Sequence, residues 1–349
     1  MVRLPRNASP SSSGGALPQA FAPQLPTLVK SPPTGRQWVH EIKYDGYRIG
    51  ARIERGNVNL TTRNGNDWSA TFPEVVAAVK RLPLHQALID GEAAVVLPSG
   101  ITSFQALQGV LKQHERGRLV YFVFDLLHLD GRDLTALPFE KRKAILARLS
   151  AEVPAADAVV RYSQHFDRDG AEVLREACRM GLEGIVSKRR DLPHEPGRSR
   201  SWLKTKCVKR QEFVIGGFTD PEGSRAGIGA LLVGVNDRGH LRFAGKVGTG
   251  FTWDVLTDLR RRLDRLQQKE CSFSPKPAGP LGRNAHWVKP ELVAEVAFTE
   301  WTEDGKIRHP SFQGLREDKP ASEITREEPL QRPFPGRSSD VRTRAKNTD

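Results

Sequence analysis

Glu41-Ile42-Lys43-Tyr44-Asp45-Gly46-Tyr47-Arg48 is the stretch on which the reading of this chain turns. A lysine closes an apolar stretch and is followed by a carboxylate, a glycine and an arginine at K-x-D-G-x-R spacing. An amine placed beside fixed cations is kept partly neutral and can then attack phosphorus. The same residues also describe a strand running into an Asp-Gly turn, which is common. Alone the pattern suggests a nucleophile without establishing one.

Further clusters follow in order. Thr62-Arg63-Asn64-Gly65 ends a strand in a glycine turn, where Arg63 can reach a ribose or a phosphate or simply decorate a hairpin. Ile89-Asp90-Gly91-Glu92 puts Glu92 at the start of a strand, as a ligand for a ribose hydroxyl or a magnesium-bound water. Phe124, in Tyr121-Phe122-Val123-Phe124-Asp125, alternates with its neighbours on a strand; such aromatics are mostly core, but one could stack on a purine. Glu183-Gly184-Ile185-Val186-Ser187-Lys188 adds a second metal-directed carboxylate and a cation. In Trp202-Leu203-Lys204-Thr205-Lys206 the β alternation turns Lys204 and Lys206 to one face, where two ammonium groups repel unless an anion lies between them or water screens them.

With 349 residues the chain is most naturally two domains, each with its own core. A formal net charge of +13 and a pI near 9.9 favour a polyanionic partner, nucleic acid before membrane. Cys178, Cys207 and Cys271 match neither a disulfide framework nor a zinc cluster, which predicts a reducing, cytosolic setting. The longest apolar run, Leu119 to Leu129, is short and broken by Asp125, so secretion and membrane insertion are not expected.

Residues Met1 to about Pro26 are rich in Ser, Pro, Gly and Ala and read as a disordered tail. From Trp38 to about Arg190, β-rich runs (Val39–Ile42, Ile49–Ile53, Val58–Thr62, Ala87–Ile89, Ala93–Leu97, Val120–Leu126) mix with helical stretches at Phe72–Arg81, Thr102–Leu111, Phe139–Leu149 and Gly170–Met180, the last capped by Asp169. This predicts an α+β domain with a mixed sheet. Beyond Lys206 come Gly-punctuated strands at Glu212–Phe218, Ala230–Val235, Leu241–Val247 and Leu292–Trp301, with one helix carrying Val255, Leu256, Leu259, Leu263 and Leu266. A small β-barrel of the oligonucleotide-binding (OB-fold) type suits that pattern. The polar stretch after about Ile324 reads as a flexible tail.

Together these clusters resemble the covalent nucleotidyl transferase superfamily, most closely ATP-dependent DNA ligases of bacterial non-homologous end joining. The resemblance runs from about Phe21 to Thr325 and includes a final motif, Phe312-Gln313-Gly314-Leu315-Arg316-Glu317-Asp318-Lys319. It implies an adenylation domain over 21–207, an OB-fold domain over 208–325, and tails at 1–20 and 326–349. It makes Lys43 the amine that becomes linked to AMP. Glu41 and Ile42 would meet the adenine edge and Phe124 would stack on the ring. Arg48 and Arg63 would hold phosphate and ribose, Glu92 a ribose or metal, and Glu183 the divalent cation. Lys204 and Lys206 would grip the α-phosphate, with Lys188 as a further nucleotide contact. Arg316, Asp318 and Lys319 would orient the leaving pyrophosphate. The implied cofactors are ATP and magnesium, with manganese as the alternative.

The implied partners are broken duplex DNA, the Ku end-binding protein and separate polymerase or end-processing proteins. A monomer in the bacterial cytosol or nucleoid is expected. The barrel would swing about Cys207 to Gln211, and Arg48, Lys204, Lys206 and a bound magnesium, together with burial, would keep Lys43 uncharged. The runner-up is an RNA ligase or a capping-type nucleotidyl transferase, and a third alternative is an idle nucleic-acid-binding module. An NAD-dependent ligase is disfavoured, because neither a nicotinamide segment nor a four-cysteine module is visible. Gly239 to Gly245-Lys246 fails as a P-loop on spacing and on Val247.

Overall fold

The computed structural model describes residues 16–111, 117–151, 159–221 and 227–330. The first part of the chain contributes strands β1 (Gln24–Leu28), β2 (Trp38–Ile42), β3 (Tyr47–Glu54), β4 (Asn57–Thr62), β5 (Gln86–Val96), β6 (Arg118–Leu129), β7 (Arg132–Asp133), β8 (Val160–Tyr162), β9 (His165–Phe166), β10 (Gly184–Arg189) and β11 (Gly197–Lys206). Its helices are α1 (Pro73–Lys80), α2 (Phe104–Leu111), α3 (Phe139–Ala151) and α4 (Gly170–Arg179).

Two sheets result. One runs β1-β11-β10-β2-β9; the other runs β4-β3-β5-β6-β7, with β8 parallel to β6. Strand β6 is buried from Leu119 onward. Its alternation sends Tyr121 and Val123 into the core shared with α1 and α2, while Phe124 packs with Val39, Phe139 and Trp202 toward the first sheet. The chain crosses from the first sheet to the second between β2 and β3, at Lys43–Gly46. There Gly46 lies so close to β5 that a Cβ would collide with the Ala93 carbonyl.

The second part is a curled seven-stranded sheet with its own core. Strands β12 (Lys209–Thr219), β13 (Ala230–Asp237) and β14 (His240–Val247) are followed by α5 (Trp253–Arg265), which seats Leu256, Leu259 and Leu263 in that core. Then come β15 (Gln267–Gln268), the short α6 (Gly279–Asn284), β16 (His286–Val288), β17 (Val293–Phe298) and β18 (Ser311–Leu315). Strand β12 bends at a bulge between Ile215 and Gly217, pairing with β17 before it and β16 after it, which curls the sheet.

Several expectations change. Residues 1–15 and 331–349 lie outside the described residues, but the chain is ordered well before Pro26: Leu17 and Phe21 are buried against Leu88 and Leu127, and Gln24 is fully buried. The polar end is ordered as far as Leu330, whose amide donates to the Leu28 carbonyl. Ala87–Ile89 and Ala93–Leu97 are one continuous strand, so Glu92 sits mid-strand. Only Cys207 and Val208 separate β11 from β12, and Gln211 is buried within β12, so the linker is shorter than Cys207 to Gln211. Cys178 and Cys207 are joined by a disulfide, leaving Cys271 free. Pairing of β10 with β11 carries the end of β11 to the α4 side, which sequence spacing does not reveal. Asp169 caps α4, accepting from the amides of Ala171 and Glu172. Among the described residues no helix is long and apolar enough to cross a membrane.

Candidate active site

The crossing at Lys43 opens into a cleft of about 600 Å³ bounded by both sheets and by the barrel. Strand β2 positions Glu41 and Ile42, β3 Arg48, and β5 Glu92; β6 supplies Phe124, β10 Lys188 and β11 both Lys204 and Lys206. Arg63 follows β4, Glu183 precedes β10, and Arg316, Asp318 and Lys319 follow β18 on the barrel side.

Lys43 is fixed at both ends. Its amide donates to the Gly184 carbonyl (3.0 Å), and its Nζ donates to Glu183 Oε2 at 2.6 Å. Gly184 has φ +152°, and a Cβ there would strike the Thr205 carbonyl on β11, so only glycine lets this turn press Glu183 toward the lysine. Burial pushes the Lys43 ammonium down, but the charge of Glu183, aided by Glu92 and Asp45, outweighs it and holds Lys43 above the usual lysine value. These carboxylates thus work in the direction opposite to the cations and bound magnesium expected to keep the amine uncharged. The nearest charge is a carboxylate, and the cations meant to repel the proton are themselves neutralised by carboxylates.

Glu92 makes no comparable pair; burial pushes its carboxyl up to about 7, against the pull of Lys43, Arg48 and Arg316. Asp45 is also raised by burial, to about 6, despite accepting from Arg210 Nη1 at 2.7 Å. Arg48 commits Nε and Nη2 to the two oxygens of Asp90 (both 2.6 Å) and lies 4.7 Å from the centre of the Phe124 ring. Phe124 also carries Lys188 Nζ at 4.3 Å and meets Trp202 edge-on.

Glu41 is buried. Its Oε1 faces Lys143 Nζ (2.9 Å), and its Oε2 faces Lys188 Nζ (3.0 Å) and Ser163 Oγ (2.9 Å). Burial raises its carboxyl, but the two ammonium groups bring it below the ordinary value; burial pushes Lys188 down to about 8. From the barrel side, Arg316 binds Asp318 (2.8 Å) and Glu295 (2.9 Å), and Lys319 binds Glu212. Arg63 reaches Glu323 (2.6 Å), and Asn64 Nδ2 donates to the Asp318 carbonyl. The Arg63 and Asn64 contacts tie the barrel to the loop after β4.

Sequence reading missed Lys143, Ser163, Arg210, Glu212, Glu295 and Glu327, all bonded to residues of this site. Lys143 had one available signal: with Arg142 it places charge on the inward face of α3, where Leu146 is also buried. Among the described residues there is no cluster of three potential metal ligands.

Comparison with known proteins agrees with this arrangement. Residues 22–206 match the ATP dependent DNA ligase domain, and residues 224–319 match the ATP dependent DNA ligase C terminal region. The chain is similar to the multifunctional non-homologous end joining protein LigD of Pseudomonas aeruginosa, 41% identical over 330 residues that cover 93% of this chain and 39% of the relative. It is also similar to the LigD DNA repair protein of Mycobacterium tuberculosis, 39% identical over 294 residues, covering 83% and 38% respectively. The chain thus spans about two fifths of these relatives' length. Among solved structures, mycobacterial DNA ligase D complexed with ATP and MES superposes with a TM-score of 0.67 at 36% identity, over 88% of this chain and 98% of that one. With an adenylation domain, a following OB-like region and both family segments in order, this chain belongs to the ATP-dependent DNA ligase family.

Proposed function

We propose that the chain seals breaks in duplex DNA by three phosphoryl transfers. Lys43 Nζ, once deprotonated, attacks the α-phosphorus of ATP; a P–N bond forms, the bond to the bridging oxygen breaks, and pyrophosphate leaves. A 5′-phosphate oxygen of the broken strand then attacks the same phosphorus, releasing Lys43 and leaving AMP on the DNA. Finally the 3′-hydroxyl attacks the 5′-phosphorus, closing the phosphodiester and expelling AMP. The observation that carries this reading is Lys43 standing in one cleft with Glu183, Glu92, Lys204 and Lys206, under Arg316 and Lys319 of the barrel.

Each residue keeps a role consistent with its contacts. Lys204 and Lys206 neutralise charge on the α-phosphoryl oxygens, and Arg316 with Lys319 orients pyrophosphate. Glu41 and Ile42 face the adenine edge, Phe124 offers its ring, Lys188 holds Glu41, and Arg48 and Arg63 border the ribose and phosphates. Glu183 and Glu92 line the cleft with Lys43, and the charge of each acts on it. Two carboxylates fit magnesium, or manganese in its place, because magnesium takes most of its ligands from water and phosphate. When bound, such an ion supplies positive charge at the phosphoryl oxygens. Drawing Glu183 away from Lys43 would free the amine to lose its proton.

The two units, 21–207 and 208–325, would part about Cys207–Val208 to admit DNA, which phosphate contacts would hold without sequence reading. End joining with Ku and separate end-processing proteins, as a monomer in the bacterial cytosol, completes the proposal; the similarity to LigD proteins supports it. Incubation with ATP and intact-mass measurement test it. Wild-type protein gains one AMP and Lys43→Ala gains none; an adduct surviving that substitution removes Lys43 from its role.

A further inference from the structure

The two lysines at the end of β11 already hold an anion, and it belongs to the chain itself. Lys204 Nζ donates to Glu327 Oε1 at 2.5 Å and Lys206 Nζ to Glu327 Oε2 at 3.0 Å. Each oxygen takes one ammonium, the arrangement that two non-bridging phosphoryl oxygens would adopt. The Glu327 side chain is only 19% exposed and lines the same cleft as Lys43. Burial opposes its charge, yet Lys206 and Lys204 hold its carboxyl down at about 2.

Glu327 is delivered by a segment tied along its length. Asn236 Nδ2 on β13 donates to the Ile324 carbonyl at 3.1 Å. The Gln211 side chain on β12 donates to the Thr325 carbonyl (3.1 Å) and accepts from the Glu327 amide (3.0 Å). Beyond, the Leu330 amide donates to the Leu28 carbonyl (3.1 Å). The segment thus starts on the barrel, crosses the cleft and ends on β1, which pairs with β11 beside Lys204.

We propose that Thr325–Leu330 is a strap whose Glu327 occupies the phosphate seat and must lift when a nucleotide phosphate engages Lys204 and Lys206, loosening the barrel from β1 as it goes. This rests on the proposed role of those lysines as phosphate ligands. Two anions cannot both be matched by the same two ammonium groups, so nucleotide and strap compete. A seat that is free in only a fraction of molecules binds with its dissociation constant divided by that fraction. A strap seated in about 90–99% of molecules therefore weakens nucleotide binding about 10- to 100-fold.

The test uses the full chain, its Glu327→Gln and Leu330→Pro variants, and the non-reacting probe α,β-methylene ATP. Glu327→Gln is expected to bind the probe about tenfold or more tightly, and Leu330→Pro, which deletes the amide tied to Leu28, to bind it more tightly than wild type. In the wild type the probe is expected to speed hydrogen exchange at the Glu327 and Leu330 amides. Equal or weaker binding by Glu327→Gln, absence of binding in both proteins included, overturns the strap. So do strap amides that keep their protection with the probe bound. AMP transfer is scored separately: tighter binding without an adduct on Lys43 defeats the proposed reaction alone, and an adduct forming at unchanged affinity defeats the strap alone.

Discussion

Replacing Glu183 by glutamine should make Lys43 more reactive toward a small reagent and less reactive toward ATP. The Nζ–Oε2 distance is 2.6 Å, and the side chains of Lys43 and Glu183 are 23% and 4% exposed, so solvent screens the pair weakly. An opposite charge this close shifts a pKa by about 1–3 units. Glutamine keeps the shape and removes the charge, leaving burial to favour the neutral amine against the weaker pull of Glu92 and Asp45. Around pH 8 the uncharged fraction of Lys43 should rise about 10- to 1000-fold. Competitive acetylation by acetic anhydride across a pH series, read by peptide mass spectrometry with exposed Lys30 as internal standard, reports that fraction. AMP transfer should meanwhile fall on the order of 100-fold, because a carboxylate proposed to hold the divalent cation is gone. An unchanged acetylation profile would refute the claim that Glu183 holds the proton. The sign is consistent in the wild type. A raised lysine and a lowered carboxylate leave both groups charged between their ordinary values, so the pair's contribution to stability is flat there. It is lost in acid as pH falls through the Glu183 value, and in base as pH rises through the Lys43 value.

Glu92, raised to about 7, is neutral on the acid side of that value, so the magnesium concentration needed for AMP transfer should climb about tenfold per unit below pH 7. Glu92→Gln should flatten that limb in metal titrations at several pH values. Arg142 and Asp125 form a fully buried two-point pair (2.8 Å each), so Arg142→Met should cost about 3–5 kcal/mol in urea unfolding, with much of it recovered in the Arg142→Met/Asp125→Asn double variant. Arg142 holds Asp125 below its ordinary value despite burial, whereas without Arg142 burial pushes that carboxyl up; the gap between wild type and Arg142→Met should therefore be widest above the variant's raised value and narrow as pH falls from there toward the lowered wild-type value. DNA affinity should fall steeply between 50 and 200 mM salt, about tenfold or more if several phosphates are contacted, and a flat response in a filter-binding assay would count against phosphate-dominated binding.

The strands bearing the site could be read from sequence because apolar alternation marks them locally. The places where reading failed depend on partners far along the chain. Leu17 and Phe21 look like stray apolar residues in a Pro- and Ser-rich tail until Leu88 and Leu127 are brought beneath them. Asp90-Gly91-Glu92 looks like a break between strands. In the folded chain Asp90 is satisfied by Arg48, and Gly91 makes room for the Tyr121 ring, so β5 runs on. Arg142 and Lys143 share the inward face of α3 with Leu146, but the Asp125 and Glu41 that satisfy them come from other elements. For Lys43 the opposing charges were in plain view, since Glu183, Glu92 and Asp45, which favour its ammonium form, all lie within the quoted motifs. Motifs reveal which cations converge on the cleft, whereas the carboxylates that neutralise them, Glu212, Glu295 and Glu327, lie outside the motifs.

Gly46 brings the backbone after Lys43 against the Ala93 carbonyl with nothing between them. The offset of Lys43 from the strand bearing Glu92 is thus gauged by main chain on main chain. One methyl group added at position 46 would meet that carbonyl and push the segment after Lys43 away from β5.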